Sequence, residues 1–176
     1  MRPSSIPQSI LTRSSGPVAL LVALALVGAL AGSPRSHADN SRLNKAVVQM
    51  VTIVQYRESC PTAIKVNPQL QLAAQWHTAD VLNHRWLDGD AGSDGSSPQD
   101  RATAAGYHGT VEQTVAINPA LAISGVELIN QWYANPGYLT TMRNCANTEI
   151  GVWSENRIDR TVVVAVYGQP SDVEVG

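Results

Sequence analysis

His77 and His84 stand in the stretch WHTADVLNHRWLDGDAGSDGSSPQDRATAAGY, which runs from Trp76 to Tyr107. If the first part of that stretch is helical, two turns separate the imidazoles, and the rise per residue sets them roughly 10 Å apart. Two histidines sharing one ion on a helix sit a single turn apart, as in His-Glu-x-x-His. His77 is therefore expected to pack in the core and donate a hydrogen bond. The run Asp88 to Gly95 superficially resembles a calcium loop, but Gln99 stands where the closing Glu belongs. Serines are plentiful here, yet no Gly-x-Ser-x-Gly elbow is present. There is no phosphate loop and no dinucleotide fingerprint.

The elements that position these groups read from periodicity and punctuation. Asp39-Asn40-Ser41 marks a helix start. Leu43, Ala46, Val47, Met50, Val51 and Val54 then recur at three-and-four spacing, a buried stripe, up to Cys60-Pro61. Asn67-Pro68 opens a second helix, expected to run from Pro68 to Trp86 and to be central because it is apolar on more than one face. Gly89 to Ser97 is a loop by composition. Pro98 starts a short helix, with Gly106 as its stop. Val111 to Ile117 is a candidate strand. Asn118-Pro119 is expected to open a third long helix that ends at Asn135-Pro136-Gly137. Tyr138 to Arg143 adds a turn or two. Ile150 and Val152 alternate with polar neighbours, and Thr161 to Tyr167 is β-branched and apolar. Asn156 to Asp159 joins the two as an antiparallel hairpin. The expected class is α+β, an α-β-α sandwich with a small antiparallel sheet between helices.

The chain has 176 residues, 44% of them hydrophobic, and a formal charge of −2. That suits one domain with one core. The near-neutral balance gives no electrostatic footprint for nucleic acid. Arg2 and Arg13 precede the apolar run Val18 to Ala31, which is shorter than the roughly 20 residues a membrane span needs. Ser36-His37-Ala38 offers a small-x-small cleavage site. Residues 1–38 are read as an export signal, 39–170 as one domain and 171–176 as a tail. An uncleaved N-terminal anchor is the alternative. The exported part holds two cysteines, Cys60 and Cys145. An even count in an exported protein suggests a disulfide, with two inert buried thiols as the alternative. They are too few and too far apart for a zinc motif.

Several of these pieces, in this order, resemble the CAP superfamily of cysteine-rich secretory, antigen 5 and pathogenesis-related proteins. AAQWHTADVLNH resembles its histidine-bearing helix. Asp94-Gly95-Ser96-Ser97-Pro98-Gln99-Asp100-Arg101, followed by Ala105-Gly106-Tyr107, resembles the bacterial Asp-Gly-x-x-Pro-x-x-Arg with Ala-Gly-Tyr. Trp132-Tyr133-Ala134-Asn135-Pro136-Gly137 resembles Trp-x-x-Ser-Pro-Gly, and Thr148-Glu149-Ile150-Gly151-Val152 resembles the strand that follows. The likeness spans the mature chain and, with the export signal and few cysteines, points toward an actinobacterial branch.

The departures from that pattern bear on function. Where bacterial members place a His ahead of the Asp-Gly loop, this chain has Asp90. Where a second His follows Ser-Pro-Gly, it has Tyr138. Glu112 of Glu112-Gln113 is the best match to the family's strand Glu. Neutral imidazole is the zinc ligand, so the resemblance implies neither a zinc site nor another cofactor here. Asp90, Glu112 and Tyr138 are expected to line the cleft, with His108 approaching it. Two carboxylates can share a proton or hold a hard cation. CAP proteins of other branches bind sterols and other lipids. The resemblance thus implies a secreted, non-enzymatic domain for a lipid, another ligand or an extracellular partner. A hydrolase of envelope material using Glu112 with Asp90 and a surface interaction module are the alternatives.

Overall fold

The computed structural model describes residues 37–171, and side chains from residue 40 onward. The expected export segment therefore lies almost wholly outside the described residues. No helix among the described residues is long and apolar enough to cross a membrane.

Five helices and four strands form the domain. In chain order they are α1 (His37–Arg57), β1 (Lys65–Val66), α2 (Pro68–Asn83), α3 (Pro98–Ala104), β2 (Gly109–Asn118), α4 (Gly125–Ala134), α5 (Pro136–Arg143), β3 (Glu149–Arg157) and β4 (Arg160–Pro170). The sheet order is β1-β3-β4-β2. The hairpin β3–β4 and the pair β2–β4 are antiparallel, as the alternation suggests. The two-residue β1 pairs parallel with Glu149 and Ile150, a contact too short to leave a period-two signature.

β4 is the central strand and is buried on both faces, which explains its unbroken apolar run. Val163, Ala165 and Tyr167 point into one core layer with Val47 and Val51 of α1, Leu128 and Trp132 of α4, and Met142 of α5. Val162, Val164 and Val166 point into the other, with Leu70, Ala74, Val81 and Leu82 of α2 and Ala102 of α3. The arrangement is the α-β-α sandwich. Its helix starts are set by local chemistry. The Asn67 side chain accepts from the Gln69 and Leu70 amides, and Pro68 sits at the first turn. Ser97 and Asp100 form a reciprocal capping box on α3. Asn135 caps α5. Where α2 crosses β3, Gly151 gives it room, because a Cβ there would overlap the Leu70 carbonyl and the Gln71 amide.

Two boundaries differ from expectation. α2 ends at Asn83, because His84 turns to an extended conformation and caps it. α4 starts at Gly125 behind the Ser124 cap rather than at Asn118-Pro119. Asn118 is still paired with Thr161 in the sheet, and its side chain holds the Ala122 carbonyl at 2.8 Å. Residues 119–123 thus form a connection between strand and helix.

Candidate functional site

The loop after α2 is shaped by three polar anchors. Asp80 on α2 accepts from the Ser93 amide and hydroxyl, both at 2.7 Å. The Gly92 amide donates to the Ser96 carbonyl at 2.8 Å. A Cβ at Gly92 would lie 2.5 Å from Ser96 Oγ and 2.7 Å from Asp94 Oδ1, so both side chains would have to shift. Arg101 of α3 is the third anchor and is 7% exposed. Its Nη1 donates to the Ser96 carbonyl at 2.7 Å, and its Nη2 donates to the Asp90 carbonyl at 2.7 Å and to Gln113 Oε1 at 3.2 Å. Gln113 in turn donates its amide to Asp90 Oδ1 at 3.0 Å. The loop is thereby tied to the edge strand β2, and the Asp90 side chain is presented at the surface.

Beneath this loop lies His77, which is fully buried. Its Nε2 is 2.8 Å from the Gly89 carbonyl. A carbonyl oxygen only accepts, so Nε2 carries the proton. Nδ1 then bears a lone pair and has no partner among the described residues. Burial lowers the imidazole pKa most, and the Arg101 charge lowers it further. The Gly89 bond, Asp80 and Asp90 pull the other way. His77 is the buried hydrogen-bond donor that its helix position suggests.

Tyr138 of α5 reaches the same region from the other side of β2. Its phenol is shifted up, first by burial and then by the negative charge of Asp90, with a smaller push from Asp88. A hydrogen bond from the Val115 backbone opposes the shift. The phenol therefore stays protonated at neutral pH. The Asp90 charge is felt by the Tyr138 phenol, while Tyr138 itself packs in the layer of α1, α4 and α5 and the Asp90 side chain is bonded to Gln113 on the other face of β2.

Glu112 and Gln113 point to opposite faces of β2, and Glu112 shares with Tyr138 the face covered by α5. Successive strand residues point to opposite faces, and Glu112 faces the α5 side. There Asn147 Nδ2 and Asn144 Nδ2 donate to its Oε2 at 2.6 and 3.0 Å, and the Thr141 hydroxyl lies 3.5 Å from its Oε1. These partners sit beside the bridge between Cys60 and Cys145, whose Cα atoms are 5.1 Å apart. Gln55 of α1 also donates to the Asn144 and Asn147 carbonyls. Glu112 is thus a tie between β2 and the disulfide-closed loop. His108 is exposed and precedes β2, roughly 16 Å from Gln113 along the strand at the usual rise. Its backbone carbonyl accepts from Ser171.

Sequence reasoning missed Gln113 and Arg101. The signal for Gln113 was its phase: it alternates with Val111, Val115 and Ile117, which face the α2 layer. The donor set at this place is a carboxylate, an amide and a protonated phenol, with no imidazole. That set does not fit zinc, which takes neutral histidine nitrogen, thiolate and carboxylate. Among the described residues no three His, Cys, Asp or Glu side chains are grouped to hold a metal ion. A larger apolar groove, about 610 Å³, lies elsewhere, between α1 and the β1–β3 edge, lined by Val48, Val66, Val152 and Trp153.

No family model matches the sequence, and no curated protein matches it. Solved structures do resemble the fold. An outer surface protein from Borrelia burgdorferi aligns with a TM-score of 0.65 at 13% identity, over 74% of this chain and 94% of its own. An extracellular protein containing an SCP domain from Bacillus anthracis aligns with a TM-score of 0.63 at 14% identity, over 74% of this chain and 41% of its own. A cysteine-rich secretory protein from Staphylococcus aureus gives 0.54 at 12% identity, over 74% of this chain and 39% of its own. The chain spans less than half the length of the last two. What these likenesses establish is the architecture: this chain has the fold of the SCP, or CAP, domain.

Proposed function

We propose that this chain is an exported CAP-superfamily domain, of the actinobacterial branch, that binds a ligand or partner outside the cell without catalysing a reaction. The observation that carries this reading is the Asp90–Gln113 pair, whose charge acts on the Tyr138 phenol. It stands where the family resemblance implies imidazoles, and it offers hydrogen bonds and one carboxylate instead of metal ligands. Gln113, rather than Glu112, takes the place of the family's strand Glu in this reading. The likeness to an outer surface protein and to an extracellular protein supports the export reading, as does the disulfide between Cys60 and Cys145.

The placement of the two carboxylates speaks against the alternative of an envelope hydrolase using Glu112 with Asp90. General acid–base work needs both groups within hydrogen-bond reach of one substrate. Glu112 is engaged by Asn144 and Asn147 on one face of the sheet, and Asp90 is held by Gln113 on the other. The ligand in this reading is a lipid, another small molecule or an extracellular protein. The test is native mass spectrometry of the protein from its own secretion medium, compared with Asp90→Ala and Tyr138→Ala variants. A non-covalent adduct or co-purified protein that both substitutions remove supports the reading. An adduct or partner that survives both places its binding outside this site and overturns it.

A further inference from the structure

The groove of about 610 Å³ between α1 and the β1–β3 edge lies where one strand of the sheet stops short. β1 pairs with β3 only at Glu149 and Ile150. The Asn67 amide adds one more bond, to the Ile150 carbonyl at 2.9 Å. A parallel ladder would continue with the Val152 amide donating to the Asn67 carbonyl. That carbonyl instead accepts from the Gln71 amide at 3.0 Å, in the first turn of α2. The chain thus leaves the sheet at Asn67, whereas β3 runs on to Arg157. Backbone groups alternate sides along a strand. The Ile150 carbonyl, turned toward β1, sets the phase. Val152 and Ser154 therefore turn their N–H and C=O groups to this same edge, and Gly151 and Trp153 turn theirs to β4. Neither Val152 nor Ser154 has a backbone partner on that side among the described residues.

The groove is this vacant strand position. Val48 of α1 and Gln71 of α2 wall its two sides, Val66 stands at the β1 end, and Val152 and Trp153 form the floor. At the other end Asn40 and Asn44 of α1 accept through their Oδ1 atoms from Asn156 at 3.1 Å and from the Ser154 hydroxyl at 2.7 Å. An open edge beside apolar walls invites a further strand. A hydrocarbon chain would fill the walls and leave the edge N–H and C=O groups unmatched. A second copy of this chain does not fit, because its own β3 edge is flanked by the same two helices, and pairing the edges would press helix on helix. A single extended peptide meets both demands. Its main chain repeats donors and acceptors at the spacing of the edge, and its alternate side chains meet the apolar walls. Charge narrows the choice further. Lys45 is the one charged side chain among the described residues that line the groove, and Lys65 is exposed beside Val66. We propose that the groove binds an extended, acidic peptide segment of a partner protein by strand addition to β3, with Lys45 facing a carboxylate of the peptide.

The Asp90–Gln113 pair stands at the opposite edge of the sheet, on β2, so this proposal and the proposed function fail separately. The experiment is calorimetric titration of the exported protein with the peptide acetyl-Glu-Val-Thr-Val-Thr-Val-amide. Four companions accompany it: a copy with Lys in place of Glu, two copies methylated on alternate backbone nitrogens in either phase, and palmitate. Saturable binding of the parent peptide is expected, weaker for the Lys copy. One methylated copy should lose about tenfold or more, because its edge-facing N–H groups are gone, and the other should bind like the parent. Val66→Glu and Lys45→Glu, both at exposed positions, should keep the fold and weaken binding about tenfold. Val152→Pro removes the edge N–H without touching the ladder to β4 and should weaken binding as well. In the parent protein, hydrogen exchange at the Val152 amide should slow when the peptide binds. Asp90→Ala should leave binding unchanged. Absence of saturable peptide binding at millimolar concentration overturns the proposal. So does equal binding of both methylated copies, binding that Val66→Glu leaves intact in a folded protein, loss of binding in Asp90→Ala, or displacement of the peptide by palmitate bound more tightly in the groove.

Discussion

The Gln113 amide donates to the Asp90 carboxylate at 3.0 Å while its own oxygen accepts from Arg101 at 3.2 Å. One buried side chain on the edge strand thus links a surface acid to a buried guanidinium. Gln113→Leu keeps the volume and removes both bonds. It leaves part of the Arg101 guanidinium unsatisfied, which costs about 1–3 kcal/mol. Chemical denaturation should show that loss. Asp90→Ala, at an exposed position, should change stability far less.

Glu112 is expected to act on stability rather than on a reaction. Glu112→Gln puts an amide N–H₂ or a weaker acceptor against the donors of Asn144 and Asn147. Bonds to a charged acceptor are worth about 1.5–3 kcal/mol, so the melting temperature should fall measurably. A variant that melts like the parent would show that this network contributes nothing.

The bridge between Cys60 and Cys145 closes a loop with a sequence separation of 85. In chain-entropy terms a loop of that size stabilises the fold by about 4–5 kcal/mol. Reduction, or Cys60→Ser with Cys145→Ser, should lower the melting temperature substantially. It should also loosen the Asn144–Asn147 segment, which hydrogen exchange would detect as faster amide exchange there.

His77 sets a pH dependence. In the unfolded chain its imidazole takes a proton near the ordinary value of 6.5, and in the fold that value is lower because of burial and Arg101. Above that pH both states are neutral and the group contributes nothing. As pH falls below it, protons bind preferentially to the unfolded chain, and stability declines until the folded value is reached. His77→Gln should flatten this part of the profile. A second loss belongs further down. Asp80 is raised by burial but brought below 3.8 overall by Ser93 and His84, so its contribution disappears only in stronger acid.

The fold was legible because its signals are local. β4 shows its double burial as the run from Thr161 to Tyr167, and Asn67-Pro68 marks the start of α2, whereas Asn135, read as the end of one helix, is also the cap of the next. β1 was hidden because two exposed residues carry no period. The start of α4 was misplaced because Asn118-Pro119 looks like a cap, whereas the backbone there is still in the ladder with Thr161. The site was half legible. Asp90 and Tyr138 were proposed through the family resemblance, and the structure places Asp90 close enough for its charge to act on the Tyr138 phenol. Glu112 and Gln113 are adjacent and both polar, so their own residue types do not set the strand phase. A slip of one residue moves a side chain to the opposite face.

The central claim is that Asp90, Gln113 and Tyr138 form a binding place that works without metal. The most direct measurement is native mass spectrometry, with metal analysis on the same sample, of the protein purified from its own secretion medium, before and after chelator. The account predicts a bound molecule or partner that persists through chelation and is lost in Asp90→Ala and Tyr138→Ala. Stoichiometric zinc that depends on Asp90, or an adduct removed by chelator, would contradict it.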